Sequence, residues 1–222
     1  MLKEKVLLAN RIIDDVTDTP VTANQIITTA NISGLKSIQT KGVGAVILQR
    51  DMPAHFQSWI TQLSPNQLPS IRKIVPIQQT KTMLQEEMRS VDPSAKAEVE
   101  YLINDAHRLA QSFAKILHCP YVRIRFDVVD DNACGKFHLD KVSARLICTY
   151  RGRGTQYGEK SPAGDPDIIH ETQTGQLIVL RGSQWENDSP SGIVHRSPPI
   201  EGTGETRLLL VIDPITDPQN EA

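Results

Sequence analysis

A histidine and an aspartate stand two residues apart in the segment KFHLDK, at His138 and Asp140. The surrounding residues favour a β-strand, and alternate side chains of a strand point to the same face of the sheet. An imidazole and a carboxylate would therefore converge on one point in space. A metal ion is one chemical reason for that arrangement, and further ligands elsewhere in the chain are needed to support it.

A third candidate ligand and a candidate anion clamp follow in the later strands. His195 lies in the segment IVHRSPP, and Arg207 opens the segment TRLLLVID. Two histidines and one carboxylate can bind a metal on one side and leave open positions, which suits a non-haem Fe(II) that must bind substrate and O₂. The planar guanidinium of an arginine can hold a carboxylate through two parallel hydrogen bonds. An ion pair with Glu201 or Glu205 is the alternative role for Arg207.

Zinc and manganese are rival metals for the same ligands. Cys134 precedes His138 closely and Cys148 follows it, so a mixed cysteine–histidine zinc site is conceivable. Cys134, however, falls in a predicted turn. Cys148 falls in an apolar strand, where a free cysteine usually behaves as a small buried hydrophobe. Ligand types alone do not separate iron from zinc or manganese.

The elements that must position these residues are short strands after residue 120. The segment YVRIRFDVV alternates apolar and polar residues, and GQLIVLRG, IVHRSPP and TRLLLVIDP follow with turn-forming residues between them. Several short strands separated by turns predict an antiparallel sandwich or barrel. The Gly- and Pro-rich segment 151–167 is long enough to form a lid over the site, or it is an ordinary surface loop.

The region before residue 120 carries the helical signals. Asp92 and Pro93 predict the start of a long helix over 93–118, in which apolar residues recur at helical spacing. Shorter helices are predicted in MPAHFQSWITQLSP and near TKTMLQEEMRSV, and Val43 to Leu48 is predicted to be a strand. The long amphipathic helix needs a sheet to cover its apolar side.

These elements predict an α+β protein. A mainly helical region, residues 1–120, would pack on a β-barrel formed by residues 121–222, and the two would form one integrated domain because each covers the other's apolar surface. The predicted metal ligands all lie in the second part.

Composition narrows the class of protein. The chain has 222 residues, of which 39% are hydrophobic and 23% charged, with a net charge of −2. These values are typical of a soluble globular protein and offer no basic surface for nucleic acid or membranes. We find no signal peptide or apolar membrane span, and the three cysteines do not pair by spacing. We therefore expect a cytoplasmic protein, and its oligomeric state stays open.

The order of His-x-Asp, a distal histidine and then an arginine resembles the 2-oxoglutarate/Fe(II)-dependent dioxygenase superfamily. The residue patterns of TGQLIVLRGSQW, IVHRSPP and TRLLLVID are also similar to those of this superfamily. This resemblance covers about residues 121–213 and implies a double-stranded β-helix, a jelly-roll or cupin-like barrel. In addition, FHLDKVSARLICTYRGRGT is similar to a block in an uncharacterised bacterial family of unknown function, a likeness that extends over most of the chain.

The superfamily resemblance implies a role for each candidate residue. Arg207 would bind the distal carboxylate of 2-oxoglutarate, and Thr149 or Tyr150 would contact the other end of this cosubstrate. The ligands of Fe(II) would be His138, Asp140 and His195.

The nature of the substrate is indicated only by charge. Basic residues crowd the block around the His-x-Asp pair, and they would favour a small anionic substrate if they face the opening. They could equally be solvated charges at the rim of the barrel. The candidate substrate-binding residues are Arg145, Lys141, Arg151 and Trp185.

The sequence therefore predicts an Fe(II)/2-oxoglutarate-dependent oxygenase. A non-catalytic metal-binding protein on the same fold, used for metal sensing, storage or delivery, is the alternative from another class. Arg207 discriminates between the two, because a protein that only binds metal has no need for a buried carboxylate clamp. A cupin-type hydrolase or isomerase that uses zinc or manganese is a third possibility.

Overall fold

The computed structural model describes residues 22–186 and 189–220. Residues 1–21 lie outside the described residues. The prediction that this segment is not a signal peptide therefore stays a prediction. The helices are α1 (Ala54–Gln62), α2 (Thr80–Glu87) and α3 (Lys96–Leu117), with 3₁₀ segments at Ile32–Gln39, Pro65–Gln67, Ile77–Gln79 and Pro218–Asn220. The strands are β1 (Gln25–Thr29), β2 (Val43–Leu48), β3 (Ile71–Pro76), β4 (Tyr121–Val129), β5 (Ala144–Arg151), β6 (Gln156–Glu159), β7 (His170–Glu171), β8 (Leu177–Arg181), β9 (Ile193–Arg196) and β10 (Arg207–Ile215).

The strands form a large sheet and a small one. The large sheet has seven strands in the order β1-β2-β8-β5-β10-β4-β3, and the small sheet has three in the order β7-β6-β9. Only the pairing of β1 with β2 is parallel among the described strand pairs. Tyr157 and Ile193 of the small sheet pack in one apolar cluster with Ile147, Ile178 and Val211 of the large sheet. The sheets therefore face each other, as the predicted sandwich requires.

Helix α3 covers the other face of the large sheet. Leu109 and Phe113 of this helix pack in one cluster with Phe126 of β4 and Leu210 of β10, and all four are buried. Full burial of a side chain of this size stabilises the fold by roughly 1.5–3 kcal/mol. Because both faces of the sheet are covered, β2 is apolar and buried throughout. Within the described chain, no helix combines the length and apolarity that a membrane crossing would need.

The start of α3 differs from the prediction, while its end agrees. The helix begins at Lys96, not at Pro93. Asp92 has a φ of 108°, and its carboxylate accepts a hydrogen bond from the backbone N–H of Ser94 at 3.1 Å. Asp92 thus stabilises a turn ahead of the helix instead of capping it. At the other end His118 takes a left-handed conformation, which terminates the helix.

The N-terminal part contains more strand than predicted. Besides the expected β2, it contributes β1 and β3, which form the two edges of the large sheet. The predicted division at residue 120 therefore runs through a shared sheet. The segment 151–167 is also more ordered than a loop, since it contains β6, the central strand of the small sheet. The sequence of this strand, QYGE, contains no apolar run, and only the pairing with β9 and β7 makes it a strand.

Candidate metal centre

His138 and His195 face each other across one isolated β-bridge. The backbone N–H of each donates to the carbonyl of the other, at 3.0 and 3.1 Å, and their ring centroids are 4.5 Å apart. The expectation of a regular strand through KFHLDK is wrong, because β5 begins only at Ala144. The bridge alone nevertheless fixes His138 beside His195, so the two imidazoles meet without a continuous ladder.

The Asp140 carboxylate completes the group. Its Oδ2 lies 3.2 Å from Nε2 of His195, and its Oδ1 lies 3.7 Å from Nε2 of His138. Each of the three residues can offer one ligand atom, and these atoms all lie within 4.8 Å of one another. The structure therefore brings together the three side chains that the sequence singled out as metal ligands.

The hydrogen bonds around this group leave suitable ligand atoms available. Nδ1 of His138 lies 2.8 Å from the carbonyl oxygen of Lys136, which fixes the ring and leaves Nε2 available to a metal. Oδ1 of Asp140 contacts Arg145, whereas Oδ2 is buried and has no hydrogen-bond partner among the described residues. A buried carboxylate oxygen without a partner is costly, and a cation would satisfy it. Nδ1 of His195 is likewise buried without such a partner.

Ionisation at the site also suits a cation. Burial lowers the pKa of His195 to about 4, so its imidazole is neutral at physiological pH, as metal binding requires. The nearby carboxylate of Asp140 raises the pKa of His138. Burial opposes ionisation of Asp140, yet the neighbouring His138 and the positive charge of Arg145 bring the pKa of this carboxyl below its ordinary value.

A cavity of about 360 Å³ opens beside the two histidines and reaches Arg207. Arg207 is fully buried; its Nε donates to the carbonyl of Arg153 at 2.7 Å and its Nη1 to the hydroxyl of Ser197 at 3.2 Å. In the described part of the chain it forms no ion pair. Burial lowers its pKa to about 10. A buried cation without a counter-ion is unfavourable, so this arginine is suited to an anionic ligand.

The alternative ion pairs of Arg207 are not formed. Glu205 accepts a hydrogen bond from the backbone N–H of Arg153 at 2.5 Å, and Glu201 accepts one from Asn132 at 3.0 Å. Neither glutamate forms an ion pair with Arg207 among the described residues, although the charges of Glu205 and Glu171 partly offset the effect of burial on its pKa.

Arg145 lines the cavity, but carboxylates surround its guanidinium. Its Nε and Nη2 donate to the two oxygens of Asp213 at 2.6 and 3.0 Å, and its Nη1 contacts Asp140. The sequence predicted that Arg145 would bind a substrate anion. Instead, Arg145 contacts the carboxylate of Asp140, a candidate metal ligand.

Thr149 and Tyr150 point to opposite faces of β5. The Tyr150 hydroxyl donates to Oδ2 of Asp105 on α3 at 2.6 Å, so Tyr150 lies on the helix-covered face and away from the cavity. Thr149 shares the inter-sheet face with Ile147, because alternate residues of a strand point the same way. The hydroxyl of Thr149 is buried and has no hydrogen-bond partner within the described chain.

The remaining substrate candidates lie outside the cavity of the histidines. The Nη1 of Arg151 donates to the carbonyl of Leu63 at 2.6 Å, next to α1. Lys141 and Trp185 line a different cavity, and the ring of Trp185 stacks under the guanidinium of Arg181 at 4.4 Å. The prediction that these three side chains surround the site therefore does not fit their positions.

The two cysteines of the alternative zinc site lie on different sides of the large sheet. Cys148 is buried on the α3 side, where its sulfur lies 3.3 Å from Nη2 of Arg50. Cys134 lines the cavity, but it is not among the described residues whose ligand atoms cluster.

Sequence reasoning missed two residues of the cavity region, namely Asp213 and Ser197. Asp213 carried a usable signal, because it is a charged residue inside the apolar final strand and shares a face with Arg207. Arg125 was considered together with Arg123, as two basic residues on one face of β4 that could join the residues favouring an anionic substrate. The orientation of that face toward a cavity depends on the small sheet, which a single strand pattern does not reveal.

The overall fold is similar to that of several solved structures. A dioxygenase for auxin oxidation from rice matches with a TM-score of 0.53 and 13% identity, over 88% of this chain and 84% of that one. An Arabidopsis thaliana dioxygenase for auxin oxidation 1 in complex with 2-oxoglutarate gives a TM-score of 0.49 and 11% identity over 88% and 94% of the chains. A Pseudomonas putida prolyl-4-hydroxylase gives 0.43 and 16% over 84% and 95%.

The family of the chain follows from its sequence. A family model described as protein of unknown function, DUF1826, matches residues 29–213, and the chain belongs to this family. A comparison with curated protein sequences gives no significant match. At identities this low, the structural likeness shows the fold alone.

Proposed function

We propose that this chain is an Fe(II)- and 2-oxoglutarate-dependent oxygenase built on a double-stranded β-helix. The observation that carries the proposal is the group of three ligand atoms within 4.8 Å of one another. One of its carboxylate oxygens is buried without a hydrogen-bond partner among the described residues. The metal ligands would be His138, Asp140 and His195.

The donor set fits Fe(II). Two imidazoles and one carboxylate occupy one side of a metal and leave other positions free for a cosubstrate and O₂. Zinc and manganese accept the same donors, so the protein could be loaded with either as an inert probe. Iron and 2-oxoglutarate, when bound, would activate O₂, which is the oxidant of the substrate C–H bond. The residues of the chain bind, orient and shield.

Arg207 favours an oxygenase over a protein that only binds metal. Its guanidinium is buried on the wall of the same cavity as His138 and His195, and it has no ion-pair partner within the described chain. The distal carboxylate of 2-oxoglutarate would neutralise this charge. Ser197 and the carbonyl of Arg153 hold the guanidinium in place from two directions.

Thr149 is our candidate for a hydrogen bond to the other part of 2-oxoglutarate. Its hydroxyl is buried on the inter-sheet face of β5, without a hydrogen-bond partner in the described part of the chain. Tyr150 is not a candidate for this role, because its hydroxyl donates a hydrogen bond to Asp105. The substrate itself would be small and anionic, and we propose a cytoplasmic location, with which the three free cysteines agree.

A binding measurement on an Arg207 variant tests the proposal. Mn(II)-loaded protein is titrated with 2-oxoglutarate by calorimetry, using the wild type, Arg207→Met and the control Arg151→Met. Arg151 is a matched control because it binds backbone carbonyls beside α1. We expect Arg207→Met to retain Mn(II) but to bind 2-oxoglutarate at least about tenfold more weakly, since a charge-assisted hydrogen bond is lost. An affinity equal to that of the wild type would remove the clamp from the proposal.

A further inference from the structure

A second arginine, Arg125, lines the same cavity at another position. It lies on β4, which pairs with β10 so that Arg125 stands opposite Val211. Val211 is four residues beyond Arg207 along β10, so the two arginines attach to the sheet roughly 13 Å apart along the strand direction. Leu209, Val211 and Ile147 form an apolar wall between these positions.

The described neighbours of Arg125 satisfy its guanidinium only in part. Its side chain is 17% exposed, and its Nε is buried with no hydrogen-bond partner among the described residues. Its two ion pairs are long, with Asp127 at 3.4 Å from Nη1 and Asp213 at 3.8 Å from Nη2. Both oxygens of Asp213 already accept hydrogen bonds from Arg145. Burial lowers the pKa of Arg125, which indicates that the protein alone stabilises this cation poorly.

The lining of the cavity carries an excess of positive charge. Of the described residues that line it, only Asp127 contributes a carboxylate. Arg196 also faces the cavity, where its Nε donates to the amide oxygen of Gln156 at 2.8 Å and its guanidinium stacks on Phe137 at 4.4 Å. The guanidiniums in the lining belong to Arg125, Arg145, Arg196 and Arg207.

The charges of the proposed cofactors do not use up this excess. In the proposed function, the metal dication, the Asp140 carboxylate, the two carboxylates of 2-oxoglutarate and the Arg207 guanidinium sum to zero. Arg145 is balanced by Asp213. Arg125 and Arg196 then outnumber Asp127 by one charge in the described lining, and the buried Nε of Arg125 has no hydrogen-bond partner among the described residues. Arg125 can therefore take another anion.

We propose that Arg125 binds the anionic group of the substrate, and that the substrate is a small organic acid with a carboxylate or phosphate group. This inference rests on the proposed function, because it assigns the second anion of the same cavity. The planar fork of Arg125 would hold the oxyanion, and the apolar wall of Ile147, Leu209 and Val211 would contact the hydrocarbon part. A cavity of about 360 Å³ limits the substrate to a small molecule.

Simple anions test the subsite before any substrate is known. Zn(II)-loaded, full-length protein is diamagnetic, and ligand-observed NMR then measures the affinity of butyrate, inorganic phosphate and the neutral butyramide, with and without saturating 2-oxoglutarate. We expect at least one of the two anions to bind in the presence of 2-oxoglutarate and butyramide to bind about tenfold more weakly or not at all. A preference for butyrate or for phosphate identifies which acid the substrate carries.

Variants locate the anion at Arg125. Arg125→Gln should weaken anion binding about tenfold, while 2-oxoglutarate affinity, measured in parallel, stays within about threefold of the wild type. Arg123→Gln is the matched control, since Arg123 lies on the same strand but lines the other cavity. Asp127→Asn should tighten anion binding, because it removes the only carboxylate of the described lining; a misfolded variant cannot produce this gain. Arg125→Lys should retain part of the affinity.

Four results would overturn the inference. With the wild type, these are equal binding of butyrate, phosphate and butyramide, or no binding of either anion. With Arg125→Gln, they are an unchanged affinity for the anion, or a loss of 2-oxoglutarate binding instead of anion binding. The last would assign Arg125 to the cosubstrate and leave the proposed function standing. If the wild type fails to bind 2-oxoglutarate, the proposed function fails. The comparison of Arg125→Gln with Arg123→Gln in the absence of 2-oxoglutarate still decides whether Arg125 binds the anion.

Discussion

Arg145 of β5 and Asp213 of β10 form a bidentate ion pair between neighbouring strands, with Nε–Oδ1 and Nη2–Oδ2 distances of 2.6 and 3.0 Å. The third guanidinium nitrogen, Nη1, contacts Oδ1 of Asp140. Asp213 is almost fully buried. The candidate metal-ligating carboxylate is therefore fixed from the large sheet, and its second oxygen is left to face His195.

Loss of this support should weaken metal binding without removing a ligand. We expect Arg145→Met to lower the affinity for Mn(II) or Zn(II) by about ten- to a hundredfold, because residues that orient metal ligands contribute on this scale. Asp213→Asn should act in the same direction. Competition with a chromophoric chelator measures the affinity, and Lys141→Met, next to Asp140 in sequence but lining another cavity, is the control. Equal affinity in Arg145→Met and Lys141→Met would contradict an orienting role.

Removal of a ligand should have a larger effect. His138→Ala or Asp140→Ala is expected to abolish tight metal binding and to leave the circular dichroism spectrum unchanged, because neither side chain belongs to the apolar clusters of the fold. His170→Ala is a suitable control, since His170 is exposed on β7. Metal content after gel filtration reports the outcome. Stoichiometric metal in both ligand variants would place the site elsewhere.

Substitutions at the neighbouring residues Thr149 and Tyr150 should have different effects. The first should change 2-oxoglutarate affinity and the second the free energy of unfolding. Thr149→Val is expected to weaken 2-oxoglutarate binding several-fold, and Thr149→Ser to preserve it, because only the hydroxyl is needed. Tyr150→Phe should keep the affinity but lose about 2 kcal/mol of unfolding free energy, since its hydroxyl bonds to the charged Asp105. Calorimetry and urea unfolding measure the two quantities. The reverse pattern would show that Tyr150, not Thr149, reaches the cosubstrate.

A buried acid on α3 should make stability depend on pH. Asp105 binds Arg50 at 2.6 and 2.7 Å, and its side chain is 2% exposed. Burial opposes its ionisation, but the hydrogen bonds from Arg50 outweigh this and lower its pKa below 3.8. The stabilisation is complete above the unfolded pKa and is lost as the pH falls through the lowered folded pKa.

Asp105→Asn should therefore cost about 3 kcal/mol at pH 7, as expected for a broken buried ion pair. The difference from the wild type should shrink toward pH 3, because asparagine does not titrate. Urea unfolding at both pH values measures this difference, with Glu100→Gln on the exposed side of the same helix as the control. A difference that is constant with pH would mean that ionisation of Asp105 does not stabilise the fold.

The sequence indicated the metal site more fully than the residues that support it. His138, Asp140 and His195 were recognisable because ligand chemistry restricts residue type strongly and order along the chain adds to it. Arg145 was noticed for its charge alone, and its role changed once Asp213 was seen to pair with it. Pairings between distant strands decide such roles, and a single sequence contains no direct record of them.

The same limit applied to the fold. Helix α3 and strand β4 were predictable because their periodicity is sustained over many residues. Strands β1 and β3 were not, since they are short edge strands with exposed polar residues and gain their order from neighbours in the sheet. Asp105 was missed because one charge within an apolar helix face gives no hint that Arg50 will meet it.

An anaerobic titration tests the central claim most directly. Apo-protein receives one equivalent of Fe(II) and then increasing 2-oxoglutarate, while the visible absorption spectrum is recorded. We expect a weak charge-transfer band that saturates with 2-oxoglutarate and that is absent in Asp140→Ala. Binding of Fe(II) without any such band at saturating 2-oxoglutarate would contradict the oxygenase and leave a protein that binds metal for another purpose.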